Sequence, residues 1–112
     1  MKQLVVLLLL AGVASAAADE TWVPLSGEDI RVALTDRKLT YNSAWQEFHA
    51  SGRTLYNAGH DSWGYWQVRG DQYCSMWPPS DLWACYDMSG SGERLIFIDG
   101  SGHVTEGAYA RE

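Results

Sequence analysis

The chain has 112 residues, a formal net charge of −6 and two cysteines. That length suits one small domain, and an acidic balance with few, scattered basic residues argues against partners that present phosphates, nucleic acids first among them. Six Trp and six Tyr stand against two Phe; these rings join an apolar body to a polar handle and suit small cores and ligand-facing surfaces alike.

The N-terminus reads as an export signal over residues 1–18. Lys2 supplies a positive start, Leu4 to Ala11 is an unbroken apolar run, and Ala14-Ser15-Ala16 and Ala16-Ala17-Ala18 are overlapping small-x-small cleavage sites. The run falls short of the ~20 residues needed to cross a bilayer. Leu10-Ala11-Gly12 is followed by Val13, so the thiol that bacterial lipidation requires is missing. Cleavage would leave a single β-rich domain over 19–112, with seven of the basic residues against fourteen acidic ones. The expected location is the periplasm or the secreted space, with no membrane insertion after cleavage.

One helix is predicted, over 27–36. Ser26 is a good N-cap, with Asp29 at N3 in near-capping-box position. Leu25 and Ile30 are placed to form a hydrophobic staple. Ile30, Ala33 and Leu34 make a short apolar stripe. Glu28 and Asp29 at one end and Arg37 and Lys38 at the other suit the helix dipole.

From Leu39 onward the chain reads as short strands punctuated by turns. They are Leu39–Tyr41, Trp45–His49, Thr54–Asn57, Trp63–Arg69, Gln72–Met76, Leu82–Asp87, Arg94–Ile98 and Val104–Tyr109. Ala50 to Arg53, Gly70-Asp71, Ser89 to Gly92 and Asp99 to Gly102 supply turns. The spacing is that of an antiparallel meander. Clean alternation is missing, which implies strong curvature or cover on both faces. The fold class expected is mainly β (α+β): one N-terminal helix packed on a strongly curved meander or small β-barrel, with one disulfide.

Cys74 and Cys85 are expected to form that disulfide, since an exported chain with two cysteines pairs them. In a hairpin with its tip between Pro79 and Ser80, these two stand opposite each other, with Cα atoms about 4.5–5.5 Å apart. The loop they close carries Trp77, Pro78, Pro79 and Trp83. A rigid loop with aromatics costs little entropy to bind with, so these four residues are the candidate contact surface; the competing reading makes both Trp caps on the core.

No other constellation points to chemistry. Arg69-Gly70-Asp71 matches an adhesion tripeptide but is read as a tight turn, since Gly-Asp between two strands is what such a turn needs. His49, His60 and His103 lack ligand spacing, the serines lack a nucleophile elbow, and no carboxylate pair is evident. The two Gly/Ser segments have neither the carboxylates of a calcium loop nor the lysine of a phosphate loop. The expectation is no catalytic residue, no metal and no cofactor.

The stretch Gly64-Tyr65-Trp66-Gln67-Val68-Arg69-Gly70-Asp71-Gln72-Tyr73-Cys74, continuing through Trp77-Pro78-Pro79 to Trp83-Ala84-Cys85-Tyr86 and preceded by Trp45 and Gly52-Arg53-Thr54-Leu55-Tyr56, resembles a group of small exported bacterial proteins of unknown function. The shared pattern is a G-x-W-x-V strand, a Gly-Asp turn and a Cys-to-Cys hairpin. The resemblance implies a periplasmic location and no activity. Ser51-Gly52-Arg53 is similar to part of the Ser-Gly motif of periplasmic lysozyme inhibitors, although its surroundings differ. The function expected is a non-catalytic binding or interaction module for an envelope protein or small ligand. The alternative is an inhibitor of a cationic secreted enzyme such as a lysozyme.

Overall fold

The computed structural model describes residues 21–111; the export signal expected over 1–18 lies outside the described residues. A short strand β1 (Val23–Pro24) leads into helix α1 (Gly27–Leu34). Eight strands follow: β2 (Arg37–Thr40), β3 (Trp45–Phe48), β4 (Arg53–Asn57), β5 (Asp61–Arg69), β6 (Gln72–Met76), β7 (Ala84–Ser91), β8 (Arg94–Ile98) and β9 (Val104–Tyr109). Each pairs antiparallel with the next in sequence, and β9 returns to β2 through Leu39↔Tyr109 and Thr40↔Ala108. The result is a closed up-and-down barrel, which leaves no free sheet edge among its eight strands. β1 adds outside the closed set, pairing with Ser89 and Gly90 of β7.

The helix begins where its capping chemistry dictates. Asp29 N–H donates to Ser26 Oγ at 3.1 Å and Ser26 N–H to Asp29 Oδ2 at 3.0 Å, closing a capping box. It ends earlier than residue 36. Thr35 is already extended, and Asp36 turns the chain with φ 60, a left-handed conformation that Asp tolerates better than most residues. Asp36 N–H donates to Phe48 O at 2.7 Å. Arg37 and Lys38 therefore open β2 and do not sit at the helix C-terminus; sheet pairing with β3 outweighs the dipole term.

Alternating turns place the barrel's two ends. The β3–β4, β5–β6 and β7–β8 turns lie at the end where β2 starts, and α1 covers that end. Gly27 N–H donates to Asp71 Oδ1 in the β5–β6 turn at 2.8 Å, and Tyr109 Oη donates to Ala33 O at 2.7 Å. The close approach requires a glycine, because a Cβ on Gly27 would stand 2.2 Å from Gly70 O. Arg69-Gly70-Asp71 is thus a two-residue hairpin turn, with Gly70 at φ 56, whose aspartate holds the helix.

Ile30 and Leu34 plug the covered end. They are fully buried against Leu39, Phe48, Trp66, Met88 and Leu95. The edge of Trp66 is satisfied as well as packed: its indole N–H donates to His49 O at 2.9 Å.

Two strand boundaries differ from expectation around β7. It starts at Ala84, leaving Leu82 and Trp83 in the preceding loop, and runs on to Ser91 through the segment Ser89-Gly90-Ser91 that was expected to turn. Gly90 lets the strand continue there, since Leu95 and Leu25 side chains fill the space beside its Cα. The turn shrinks to Gly92-Glu93 between Ser91 and Arg94.

Cys74 and Cys85 form the disulfide in the expected register, with Cα atoms 4.0 Å apart, closer than the distance expected from sequence. Tyr73 and Ser75 point into the barrel, so the disulfide lies on the outer face. Outer cover also explains the missing alternation. Arg53 spreads over Trp63 and Tyr65, with its guanidinium 4.5 and 5.8 Å from the ring centres. Lys38 lies over Trp45 at 4.2 Å. Aromatic residues thus stand on both faces of the sheet.

Candidate functional site: an aromatic cup at the open end

The inward residues of a barrel come from every second position on each strand. Near α1 these positions are filled by Leu39, Phe48, Trp66, Met88 and Leu95. Toward the other end they become Tyr41, Gln46, Tyr56, Ser62, Tyr73, Ser75, Tyr86, Phe97 and Thr105. The interior there is not filled, and a cavity of about 620 Å³ opens between them. Trp77 and Pro78, from the β6–β7 loop, complete its wall. The size falls within the ~300–1,000 Å³ typical of small-molecule sites.

Two glycines make the wall possible. A Cβ on Gly64 would lie 2.5 Å from Cε3 of Trp77, and one on Gly107 would lie 2.9 Å from Cε1 of Tyr41. Each glycine seats an aromatic ring against bare backbone. Trp77 is further held by its indole N–H donating to Ser75 Oγ at 3.2 Å and by an edge contact with Tyr56 at 6.1 Å. Tyr73 packs on Phe97 at 5.2 Å and on Tyr86 at 5.8 Å.

The floor is polar and internally satisfied. Gln46 Nε2 donates to Thr54 Oγ1 at 2.9 Å and to Tyr73 Oη at 3.3 Å, while its Oε1 accepts from Tyr41 Oη at 2.7 Å. Thr54 Oγ1 in turn donates to Glu47 O at 2.7 Å. This network fixes a polar floor and spends its own hydrogen-bonding capacity. The phenols of Tyr56 and Tyr86 and the hydroxyls of Ser62 and Thr105 have no hydrogen-bond partner among the described residues, so they are free to bond a ligand or water.

Electrostatically the cup is neutral. No charged side chain lines it. Burial pushes the Tyr73 phenol up to about 12. Burial also raises Tyr41, and the neighbouring tyrosines Tyr73, Tyr56 and Tyr86 add to that shift. Both phenols stay protonated in the folded protein at neutral pH.

Of the four residues expected as a contact surface, the structure brings two together at the cup. Trp77 is half-buried in the wall and Pro78 sits at the mouth. Pro79 is exposed in the loop, and Trp83 lies half-buried on the outer face with Arg69 5.1 Å from its ring. Trp77 is thus wall and core cap at once, and Trp83 belongs to a different surface. Tyr41, Gln46, Tyr56, Tyr73 and Tyr86 were not singled out from sequence. The signal that would find them is the disulfide register: with Cys74 and Cys85 outward, their neighbours Tyr73, Ser75 and Tyr86 must point inward.

The three histidines remain separate. His49 Nε2 lies 3.1 Å from Glu47 Oε1 on the outer face, beside Trp63; His60 and His103 stand in two loops at the open end. Among the described residues no three His, Cys, Asp or Glu side chains gather in a metal-holding group, and no helix is long and apolar enough to cross a membrane.

Fold and site together define an up-and-down barrel plugged at one end by a helix and opening at the other into an aromatic, uncharged cup. Comparison with known protein families, with curated proteins and with solved structures finds no match to this chain.

Proposed function

We propose that this domain is a non-catalytic binding module of the bacterial periplasm or secreted space, one of the small exported domains that its Gly-Tyr-Trp strand and Cys-to-Cys hairpin resemble. Its ligand is a small organic molecule held in the cup. The observation that carries this reading is the cavity itself: a closed barrel of this size can fill its interior with side chains, yet here the upper half is left open and walled by aromatics seated on glycines. Binding without chemistry is supported by the neutral lining, which offers neither a nucleophile beside a base nor a pair of carboxylates. Location outside the cytoplasm is supported by the disulfide and by the cleavable signal read from sequence. The acidic balance supports a partner other than nucleic acid.

The lysozyme-inhibitor alternative draws less support. Ser51-Gly52-Arg53 sits in the β3–β4 turn at the helix-covered end, where Gly52 N–H donates to His49 O and Gly52 O accepts from Trp66 N–H. Its glycine serves the hairpin, and the segment lies at the barrel end opposite the cup.

The test is native mass spectrometry of the mature protein isolated from its exporting host. A bound small molecule should be retained at one per chain and released on denaturation. Thr105→Trp and Ser62→Trp, each filling the cup from a different strand, should abolish retention while leaving the circular dichroism spectrum unchanged. Retention undiminished in both folded variants would refute the cup as the site.

A further inference from the structure

We infer that the ligand of the cup is an organic monocation of the quaternary-ammonium type. This rests on the reading of the cup as the binding site and adds the charge class of what enters it.

The first observation is the distribution of formal charge along the barrel axis. The loops at the open end are those joining β2 to β3, β4 to β5, β6 to β7 and β8 to β9. With their flanking strand ends they contain Asp61, Asp81 and Asp99 and not one Lys or Arg. His60 and His103 are the other titratable groups there. The bases are rooted toward the opposite end, and of these Lys38 and Arg69 extend along the outer face to Trp45 and Trp83. Arg31 is in α1; Arg37 and Lys38 open β2; Arg53 opens β4; Arg69 closes β5; Arg94 opens β8; Arg111 follows β9. Asp61 and Asp81 are exposed and Asp99 is half-buried. Asp99 is held below the usual carboxylate range by hydrogen bonds from the Ser101 hydroxyl and the His103 backbone N–H, so it is firmly ionised at neutral pH. An approaching ion therefore meets negative charge at the mouth.

The second observation is the lining. Tyr41, Tyr56, Tyr73, Tyr86, Trp77 and Phe97 present ring systems whose faces carry negative potential, and the floor offers Gln46 and phenolic oxygens. A cation over such rings within about 6 Å is attracted to them. The absence of a carboxylate inside the cup decides which cation. A strongly hydrated ammonium or metal ion loses too much on entering a neutral cavity, whereas a bulky, weakly hydrated cation loses little and gains the rings. An anion meets repulsion at the mouth and no donor charge inside.

The experiment compares probes of one shape and three charges: phenyltrimethylammonium, its uncharged isostere tert-butylbenzene, and benzenesulfonate. Each is titrated into the mature protein and followed by proton NMR. The cation should saturate one site at least tenfold more tightly than tert-butylbenzene, and benzenesulfonate should give no saturable shift. The cation-to-neutral affinity ratio should fall severalfold in the Asp61→Asn/Asp81→Asn double variant and in 0.5 M salt, where screening length shrinks to roughly 4 Å. Thr105→Trp should abolish cation binding. If tert-butylbenzene binds as tightly as the cation and Thr105→Trp abolishes both, the charge class is wrong and the cup stands as a site. If Thr105→Trp and Ser62→Trp fold and bind the cation unchanged, both this inference and the cup reading fail. Absence of saturable cation binding up to roughly millimolar concentration overturns the inference.

Discussion

Raising the pH should destabilise this protein from within its barrel. Tyr73 is buried beneath the cup, and burial moves its phenol from about 10 to about 12. The folded state therefore holds a proton that the unfolded chain releases above pH 10. The sign follows from that difference: the stabilisation is fully present below pH 10 and is lost as pH rises toward 12. Two units correspond to about 3 kcal/mol, a large share of the ~5–15 kcal/mol typical of a small domain. Tyr41 is shifted in the same direction by the same cause, so the loss steepens where both titrate. Urea titrations at pH 8, 9, 10, 11 and 12 should give a flat stability to about pH 10 and a fall beyond it, with a slope near 1.4 kcal/mol per pH unit for each phenol. Absorbance at 295 nm should show Tyr41 and Tyr73 ionising only together with unfolding. Tyr73→Phe separates the titration from the hydrogen bond. Losing the acceptor of Gln46 Nε2 at 3.3 Å should cost about 1 kcal/mol at pH 8, and the alkaline slope should become shallower. A slope unchanged by Tyr73→Phe, or a stability that already falls between pH 8 and 9, would refute the assignment.

Replacing both Cys74 and Cys85 by Ser should lower stability by about 3 kcal/mol in the chain-entropy model, measured by urea unfolding, and alkylation of the native protein without reductant should label neither. Gly27→Ala should cost about 3 kcal/mol, because its methyl would meet Gly70 O at 2.2 Å and backbone must move to admit it; Glu28→Ala, one residue along on the exposed face, should stay within about 0.5 kcal/mol by the same assay. Intact mass of the protein from its exporting host should show loss of the first 16 or 18 residues, and a full-length cytoplasmic species would refute the export reading.

The fold was legible where short-range chemistry decides it. Ser26 and Asp29 marked the start of α1, and Gly70-Asp71 and the Cys74/Cys85 pair anchored two hairpins at the observed register. Boundaries were lost where tertiary contacts override local preference. Arg37 and Lys38 suit a helix C-terminus as well as a strand start, and pairing with β3 settles the matter. Ser89-Gly90-Ser91 has turn composition, yet all three residues pair with β8, and β1, invisible at two residues, pairs with Ser89 and Gly90 from the other side. The cup was illegible for a different reason. Its six rings come from Tyr41, Tyr56, Tyr73, Trp77, Tyr86 and Phe97, spread over most of the barrel's strands and loops, and no spacing in the sequence ties them to one another. They converge only once the sheet closes on itself. The sequence pattern pointed to Trp77 and Trp83 as a pair because they are close in the chain. The barrel wall separates them, with Trp77 inside and Trp83 outside.

The same geometry sorts the charges. In linear order acids and bases are interspersed, with Arg53 followed by Asp61, Arg69 by Asp71 and Asp81, and Arg94 by Asp99. Read as composition, this is a mixed chain with its bases scattered. An up-and-down barrel, however, sends every second turn to the same end. The backbone positions of a base at one end of a strand and an acid just past the other are then separated by the strand's length, roughly 13–26 Å at 3.3 Å per residue, and long side chains close part of that gap, as where Lys38 reaches Trp45 and Arg69 reaches Trp83 on the outer face. The helix-covered end offsets its seven bases with Glu28, Asp29, Asp36, Asp71 and Glu93, and part of its charge lies over aromatic rings, as with Arg37 over Tyr109 at 3.7 Å. The loops of the open end carry no base of their own. A net charge spread evenly over the molecule would say little about a ligand; three aspartates in the loops around a neutral aromatic cup favour the approach of a cation.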